Sequence, residues 1–193
     1  LKKRLKIAMF ENFSEGQQGY MDQDTWRVQV ENAKLLEALG HTVEIIKVPV
    51  NIEEMTLYYV TYYGFLSYMS INFGLISQGV RVDKSKVQDP FAHSLANTFS
   101  KRKFKLISSV RSLVKAARET ETDMFQKYDV LMTAVTAKRT PKIGYFSPEL
   151  PGDELVYRGS DFATYLPLFN ISGAPAISLP LGVASNDMPV GVQ

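Results

Sequence analysis

Apolar and polar positions alternate most legibly in the first fifty residues. Leu5 to Phe10 is a short apolar run bounded by charges and predicts a strand. Glu11 to Tyr20, with Gly16 and Gly19, reads as a loop. Asp22 or Asp24 then stands where a carboxylate can cap a helix by accepting its free backbone N–H groups. From Trp26 to Leu39 the residues Val28, Ala33, Leu35, Leu36 and Leu39 recur near helical spacing, and Gly40 suits the left-handed turn that closes a helix. His41 to Val48 is strand-like again through Val43, Ile45 and Val48, and Pro49 stops it. Strand, helix and strand in this tight order predict a right-handed parallel crossover.

Further along, Ile52 to Gly79 is aromatic-rich, and Met55, Tyr58, Tyr59, Tyr62, Tyr63 and Phe65 predict a helix with a broad apolar face. Gly74 to Pro90 mixes glycine with charge and reads as a mobile connection. Pro90 can open a short helix through Phe91, Leu95 and Phe99. A long helix is predicted from about Lys101 to Tyr128, with Phe104, Ile107, Val110, Val114, Ala117, Met124 and Phe125 on its apolar side. Asp129 to Ala134 predicts a buried strand, and proline- and glycine-rich Lys138 to Asp153 predicts loop. Ser160 to Phe169 is helical by pattern, Ala176 to Leu181 is strand-like, and Asn186 to Pro189 turns the chain into Val190 to Gln193. Strand candidates at 5–10, 41–48, 129–134 and 176–181 imply an α/β fold, a mixed sheet flanked by helices, with 52–128 as a helical cap-like insertion.

Composition narrows the chemistry. The chain of 193 residues is 45% hydrophobic and 22% charged, which suits one domain or a large piece of one. The absence of cysteine rules out a disulfide scaffold, thiol catalysis and thiolate zinc sites, and two histidines rule out a histidine-rich metal site. No metal or cofactor is expected. A net charge of +2 is too balanced to imply nucleic acid or an anionic membrane, and neither is expected as a partner. No run of about 18 apolar residues exists to span a bilayer. Leu5 to Phe10 is too short for a signal peptide, and Glu11 follows at once. A cytoplasmic location is expected, and Leu1 in place of Met suggests a piece of something longer.

Several local features favour plain structural roles. Glu15-Gly16-Gln17-Gln18-Gly19 lies between a strand and a helix, where phosphate-cradling turns occur, yet it lacks Gly-x-Gly-x-x-Gly and Gly-Lys-Ser/Thr, so an ordinary surface loop is expected. Lys101, Arg102, Lys103, Lys105, Arg111, Lys115 and Arg118 place seven cations on one predicted helix before any acid appears. A nucleic-acid or lipid surface is the sharper reading of that run. A solvated face is favoured instead, because of the apolar residues expected beneath it and of Glu119, Glu121 and Asp123 at its end. Ser108 and Ser109 read as a surface pair in a helix, since no Gly-x-Ser-x-Gly occurs. His41 is expected to be an edge or capping residue, and His93 likewise has no Ser/Asp arrangement near it.

The C-terminal stretch is more specific. Asn170, Gly173, Pro175, Ala176, Ser178 and Pro180, followed by Met188, Pro189, Gly191 and Gln193, resemble the Asn-x-x-Gly-x-Pro-Ala-x-Ser-x-Pro and Leu/Met-Pro-x-Gly-x-Gln motifs of the amidase-signature hydrolases. Tyr128 to Thr133 is similar to the Asp-Val-Leu-(Leu/Met)-Thr-Pro strand of that family, with Ala134 in place of proline. Leu35 to Val48 resembles the helix and strand that follow its catalytic region. Gly144-Tyr145-Phe146 and Pro167-Leu168-Phe169-Asn170 resemble the subgroup that acts on cyclic oligoamides.

The resemblance implies amide hydrolysis by a lysine and two serines, in which lysine acts as base through a bridging serine and the second serine attacks the carbonyl. In the family the glycine- and serine-rich segment that carries those serines lies N-terminal to the part matched here and has no counterpart in residues 1–193. The chain is therefore expected to be the C-terminal half of an amidase domain, inactive alone and without a catalytic residue. The resemblance places Ser160, Ala163, Thr164 and Pro167 along a substrate pocket, with core packing as the alternative role for each. A small amide is then the substrate of the full-length protein, and sheet edges left unpaired could drive self-association. Two other readings stay open: a non-catalytic binding or assembly module, and a nucleotide-binding α/β domain using Gly16 and Gly19.

Overall fold

The computed structural model describes residues 3–74 and 88–193, so the connection expected between Gly74 and Pro90 lies almost wholly outside the described residues. In chain order the elements are β1 (Lys6–Phe10), α1 (Gln23–Ala38), β2 (Thr42–Ile46), α2 (Ile52–Phe73), α3 (Pro90–Arg102), α4 (Leu106–Glu119), β3 (Val130–Met132), α5 (Gly152–Phe162), α6 (Leu166–Ser172), β4 (Leu179–Val183) and β5 (Pro189–Val192). They fall into two compact units. The first comprises Leu1–Glu53, Val114–Pro141 and Asp161–Gln193, and the second Glu54–Leu113 and Lys142–Ser160. Among the described residues no helix is long and apolar enough to cross a membrane.

In the first unit β1 lies between β2 and β3, parallel to both, with Ile7 opposite Val43 on one side and Val130 on the other. The expected parallel connection from β1 through α1 to β2 forms. The Asp22 carboxylate accepts the Thr25 N–H at 2.9 Å and caps the helix, while Asp24 adds charge to its first turn. The His41 ring caps a different backbone group, its Nδ1 accepting the Leu5 N–H at 3.1 Å just before β1. Ile7, Met9, Val28, Ala33, Met132, Ala184, Val190 and Val192 form the core of this unit.

The second sheet element is a hairpin. β4 and β5 pair antiparallel through a turn in which Asp187 has φ 60°. Beyond β3, Thr133 and Gln193 exchange N–H···O bonds of 3.0 and 2.8 Å, so the extension of β3 runs antiparallel to the end of β5. Parallel and antiparallel ladders thus join into the expected mixed sheet.

Four details differ from the pattern-based reading. The strand expected at 176–181 starts only at Leu179, because the chain leaves α6 through Gly173 and Pro175 in an exposed extended segment. On α1 the buried face is Thr25, Val28, Gln29, Asn32 and Ala33, whereas Leu35 and Leu39 are exposed. The long helix expected from Lys101 is instead α3, a 3-10 turn at Lys103–Lys105, α4 and a π turn at Thr120–Met124. Phe104 and Ile107, expected beneath the cations, are 91% and 67% exposed.

In the second unit α3 opens as predicted, with Pro90 in its first turn and Asp89 accepting the Phe91 N–H at 3.0 Å. Phe99 receives the rings of Phe65 and Tyr68 from α2, each with centroids 5.4 Å away, and Arg102 Nε donates to Thr61 Oγ1 at 3.3 Å. The stretch expected to be loop up to Asp153 already turns helical at Gly152. Asp153 and Glu154 supply first-turn charge, and Arg158 Nε donates to Glu154 Oε1 at 2.7 Å one turn on. Ser109 is fully buried and its hydroxyl has no hydrogen-bond partner among the described residues, while Ser108 is exposed and donates to the Lys105 carbonyl. The expected surface pair is therefore half interior.

Candidate functional site

Parallel strands aim their carboxyl ends at one side of a sheet, and loops leaving those ends are where such folds bind ligands. In the first unit these loops are 11–22 after β1, 47–51 after β2 and, as the first part of the connection to α5, 133–141 after β3. The first is built like a closed clasp. Asn12 joins its two ends, its Oδ1 accepting the Met21 N–H at 2.7 Å and its Nδ2 donating to the Met21 carbonyl at 2.9 Å. Within the loop Gln17 Oε1 accepts the Ser14 N–H at 2.9 Å.

Gly19 is the anchor. It is buried, its N–H donates to Asp161 Oδ1 at 3.0 Å, and its carbonyl accepts the Tyr165 hydroxyl at 2.8 Å. Its φ of +81° suits glycine, and a Cβ there would stand 2.4 Å from Thr164 Cγ2. Lys138 completes the arrangement by donating to the Tyr20 carbonyl, with its ammonium 3.5 Å from Asp161 Oδ2 and 5.0 Å from the centre of the Tyr20 ring. Burial, and then the Asp161 charge, push the Tyr165 phenol above its ordinary range, so it stays a neutral donor. Phe13 stacks on Tyr165 with ring centroids 6.2 Å apart.

Phe13 also lines a cavity of about 300 Å³, shared with Gln17, Gln18, Val50, Asn51, Ile52 and Glu53, between the first loop and the start of α2. Its walls carry the carboxamides of Gln17, Gln18 and Asn51, with Gln17 Oε1 already accepting the Ser14 N–H, one carboxylate, and the apolar surfaces of Phe13, Val50 and Ile52. That inventory suits a small ligand containing an amide, whose N–H and C=O find complementary groups. Among the described residues no serine, lysine or histidine lines it, so the described wall offers groups that bind and orient but no nucleophile or general base of the amidase kind.

Of the sequence-derived pocket residues only Thr164 is seen to support the loop that carries this cavity, and none of the four lines its wall. Thr164 is buried, packs its methyl on Gly19 and donates its hydroxyl to the Asp161 carbonyl at 2.9 Å. Ala163 occupies the turn between α5 and α6, its carbonyl accepting the Leu166 N–H at 3.1 Å, and Pro167 sits in the first turn of α6. Ser160 falls in the second unit. Phe13, Gln17, Gln18, Asn51 and Glu53 carry no motif that marks them in the sequence. The only signal is the paired glycines Gly16 and Gly19 in a strand-to-helix loop.

Three of the motif residues have structural explanations. Gly173 ends α6 with φ +72° and donates its N–H to the Phe169 carbonyl at 3.0 Å. Gly191 lets β5 approach the chain beyond β3, since a Cβ there would stand 2.8 Å from Val135 Cγ2. Gln193 pairs with Thr133, while Asn170, Pro175, Ala176, Ser178, Pro180 and Pro189 are exposed. Ile177, Leu179, Leu181 and Val183 are exposed as well, an apolar stretch along and before β4.

The first turn of α1 offers little to a phosphate. Asp22 already occupies an N-terminal N–H, and Asp24 is held by Ser185 at 2.7 Å, Arg139 at 3.2 Å and Arg27 at 3.4 Å. The Ser185 hydroxyl and backbone N–H, then the two guanidinium groups, hold the Asp24 carboxyl down at about 2. Two carboxylates at this helix start repel an anion. Among the described residues no group of three or more His, Asp or Glu side chains could hold a metal ion.

Comparison with known proteins agrees with this architecture. The profile of the family described as Amidase matches residues 1–193. The Mycobacterium leprae protein named "Putative amidase AmiC" is 31% identical over 192 residues, which cover 100% of this chain and 40% of that protein. A glutamyl-tRNA(Gln) amidotransferase subunit from Bacillus pumilus is 30% identical over 180 residues, covering 83% of this chain and 35% of that one. Among solved structures, 6-aminohexanoate cyclic dimer hydrolase superposes with a TM-score of 0.76 at 21% identity, over 98% of this chain and 40% of the other. A bacterial aryl acylamidase gives 0.69 at 17% identity, over 98% and 39%. The chain belongs to the amidase family and has the fold of part of an amidase-signature enzyme, spanning about 40% of the relatives it matches.

Proposed function

We propose, from that membership, that this chain supplies part of the sheet and part of the substrate-binding wall of an amide hydrolase, and that the reacting lysine and serines are contributed from outside residues 1–193. The observation that carries this reading is the cavity at the carboxyl ends of β1 and β2, lined by Gln17, Gln18 and Asn51 and, among the described residues, by no nucleophile. In it an amide substrate lays its apolar part against Phe13, Val50 and Ile52, while the carboxamides hold the ends of the amide dipole. The clasp at Gly19, with Asp161, Lys138, Thr164 and Tyr165 behind it, keeps the loop that carries Gln17 and Gln18 in place.

Positioning of this kind accelerates an attack launched by another group, because it removes rotational freedom before the reaction begins. The exposed apolar stretch Ile177 to Val183 is the surface on which the remaining sheet of such an enzyme would pack, and in its absence the same edge would drive self-association.

Titration with acetanilide, followed by backbone amide NMR, tests the reading. Shifts should concentrate at residues 13–18 and 50–53 and weaken in an Asn51→Leu variant, with no aniline released. Shifts that bypass both segments, or release of aniline, would count against it.

A further inference from the structure

The run of cations from Lys101 to Arg111 suits a plain solvated face only if Phe104 and Ile107 lie beneath it. The structure removes that condition. The 3-10 turn at Lys103–Lys105 breaks the register between α3 and α4 and turns Phe104 outward. Phe104 is 91% exposed and Ile107, one turn on, is 67% exposed. Lys101, Lys103, Lys105 and Arg111 are exposed around them, and none has an ion-pair partner among the described residues. Lys103 reaches back over the Phe104 ring, its Nζ 5.2 Å from the centroid. Arg102 alone points inward, bonded to Thr61. No Asp or Glu occurs between Lys101 and Arg118.

We propose that this corner of the second unit docks on an anionic bilayer surface, with Phe104 and Ile107 entering the headgroup–acyl boundary and Lys101, Lys103, Lys105 and Arg111 meeting lipid phosphates and carboxylates. Charge complementarity selects the partner. Unpaired lysines ringed around two apolar side chains match an interface that is negative outside and apolar just beneath. A nucleic acid would satisfy the lysines and could stack on Phe104, but it would leave Ile107 in water, since aliphatic side chains give bases no stacking platform. The long, flexible lysine stems let their ammonium groups stay at headgroup level while the apolar pair goes deeper.

Co-sedimentation of the purified protein with vesicles tests this, using phosphatidylcholine alone against equal parts of phosphatidylcholine and phosphatidylserine. Binding is expected to the second and not to the first, and to fall as salt is raised. Each exposed lysine near a negative surface is worth about 1 kcal/mol, or about five-fold in affinity, so Lys103→Ala with Lys105→Ala should weaken binding roughly 25-fold. Phe104→Ser should weaken it about ten-fold and leave the salt dependence unchanged. Both variants change exposed side chains, and circular dichroism should show their fold intact. Equal binding to both vesicles, binding to neither, or unchanged binding by both variants would overturn the proposal. So would displacement from vesicles by polyuridylate at equal phosphate concentration.

Discussion

A methyl group placed on Gly19 tests whether the clasp holds the site loop as described. Two separate costs follow from Gly19→Ala. The backbone there has φ +81°, which disfavours an L residue by about 1–2 kcal/mol. The new Cβ would also stand 2.4 Å from Thr164 Cγ2, 3.1 Å from its Cβ and 3.3 Å from Phe13 Cδ2, and insertion into such packed surroundings costs about 1–3 kcal/mol more. Thr164 cannot easily retreat, because it is buried and bonded to the Asp161 carbonyl. The total of about 2–5 kcal/mol should lower the melting temperature by roughly 5–15 °C in a chain of this size.

Gly16 isolates the first cost, since its φ is +87° and a Cβ there would meet nothing within 4 Å. Gly16→Ala should therefore cost only about 1–2 kcal/mol. Thr164→Ser removes the offending methyl and keeps the hydroxyl, so in the Gly19→Ala background it should recover most of the steric part. Thermal melts followed by circular dichroism measure all four proteins. Equal losses for Gly16→Ala and Gly19→Ala, or no recovery with Thr164→Ser, would refute the contact between Gly19 and Thr164.

Acid should expose the Asp24 network. Its carboxyl ionises at about 2 in the folded chain against an ordinary 3.8, so its stabilising effect is complete above 3.8 and lost as pH falls towards 2. Asp24→Asn should flatten that part of the curve of melting temperature against pH, and an unchanged slope would show that Asp24 does not act this way. In the second unit, Gly64→Ala would bring a Cβ to 2.3 Å from the Leu95 carbonyl oxygen, a backbone atom that cannot swing aside. A destabilisation of about 1–3 kcal/mol is expected by chemical denaturation. Wild-type stability would mean that α2 and α3 do not approach so closely.

The parts of the fold that were legible in the sequence carry explicit punctuation. Asp22 and Gly40 bracket α1, Pro49 ends the approach to α2, and Pro90 opens α3. The break at Lys103–Lys105 has no such mark, since neither Lys nor Phe is a helix breaker. Periodicity also tells which residues share a face, not whether anything covers that face. Leu35, Leu39, Phe104 and Ile107 fit helical spacing and are exposed, while Thr25, Gln29 and Asn32 are polar and buried. The C-terminal motifs pointed to the family because their glycines and prolines fix a junction. The cavity stayed hidden because its two halves, the loop residues Phe13 to Gln18 and the Val50 to Glu53 entry into α2, stand more than thirty positions apart with no shared pattern.

Adding an independently produced polypeptide that carries the glycine-flanked serine pair and lysine of an amidase, and assaying aryl amide hydrolysis, bears most directly on the division of labour proposed for this chain. The predicted result is no turnover by either piece alone, turnover by the mixture, and a several-fold rise in KM with little change in kcat when Asn51→Leu is used. Hydrolysis by residues 1–193 alone, or a mixture whose activity is indifferent to the cavity, would contradict it.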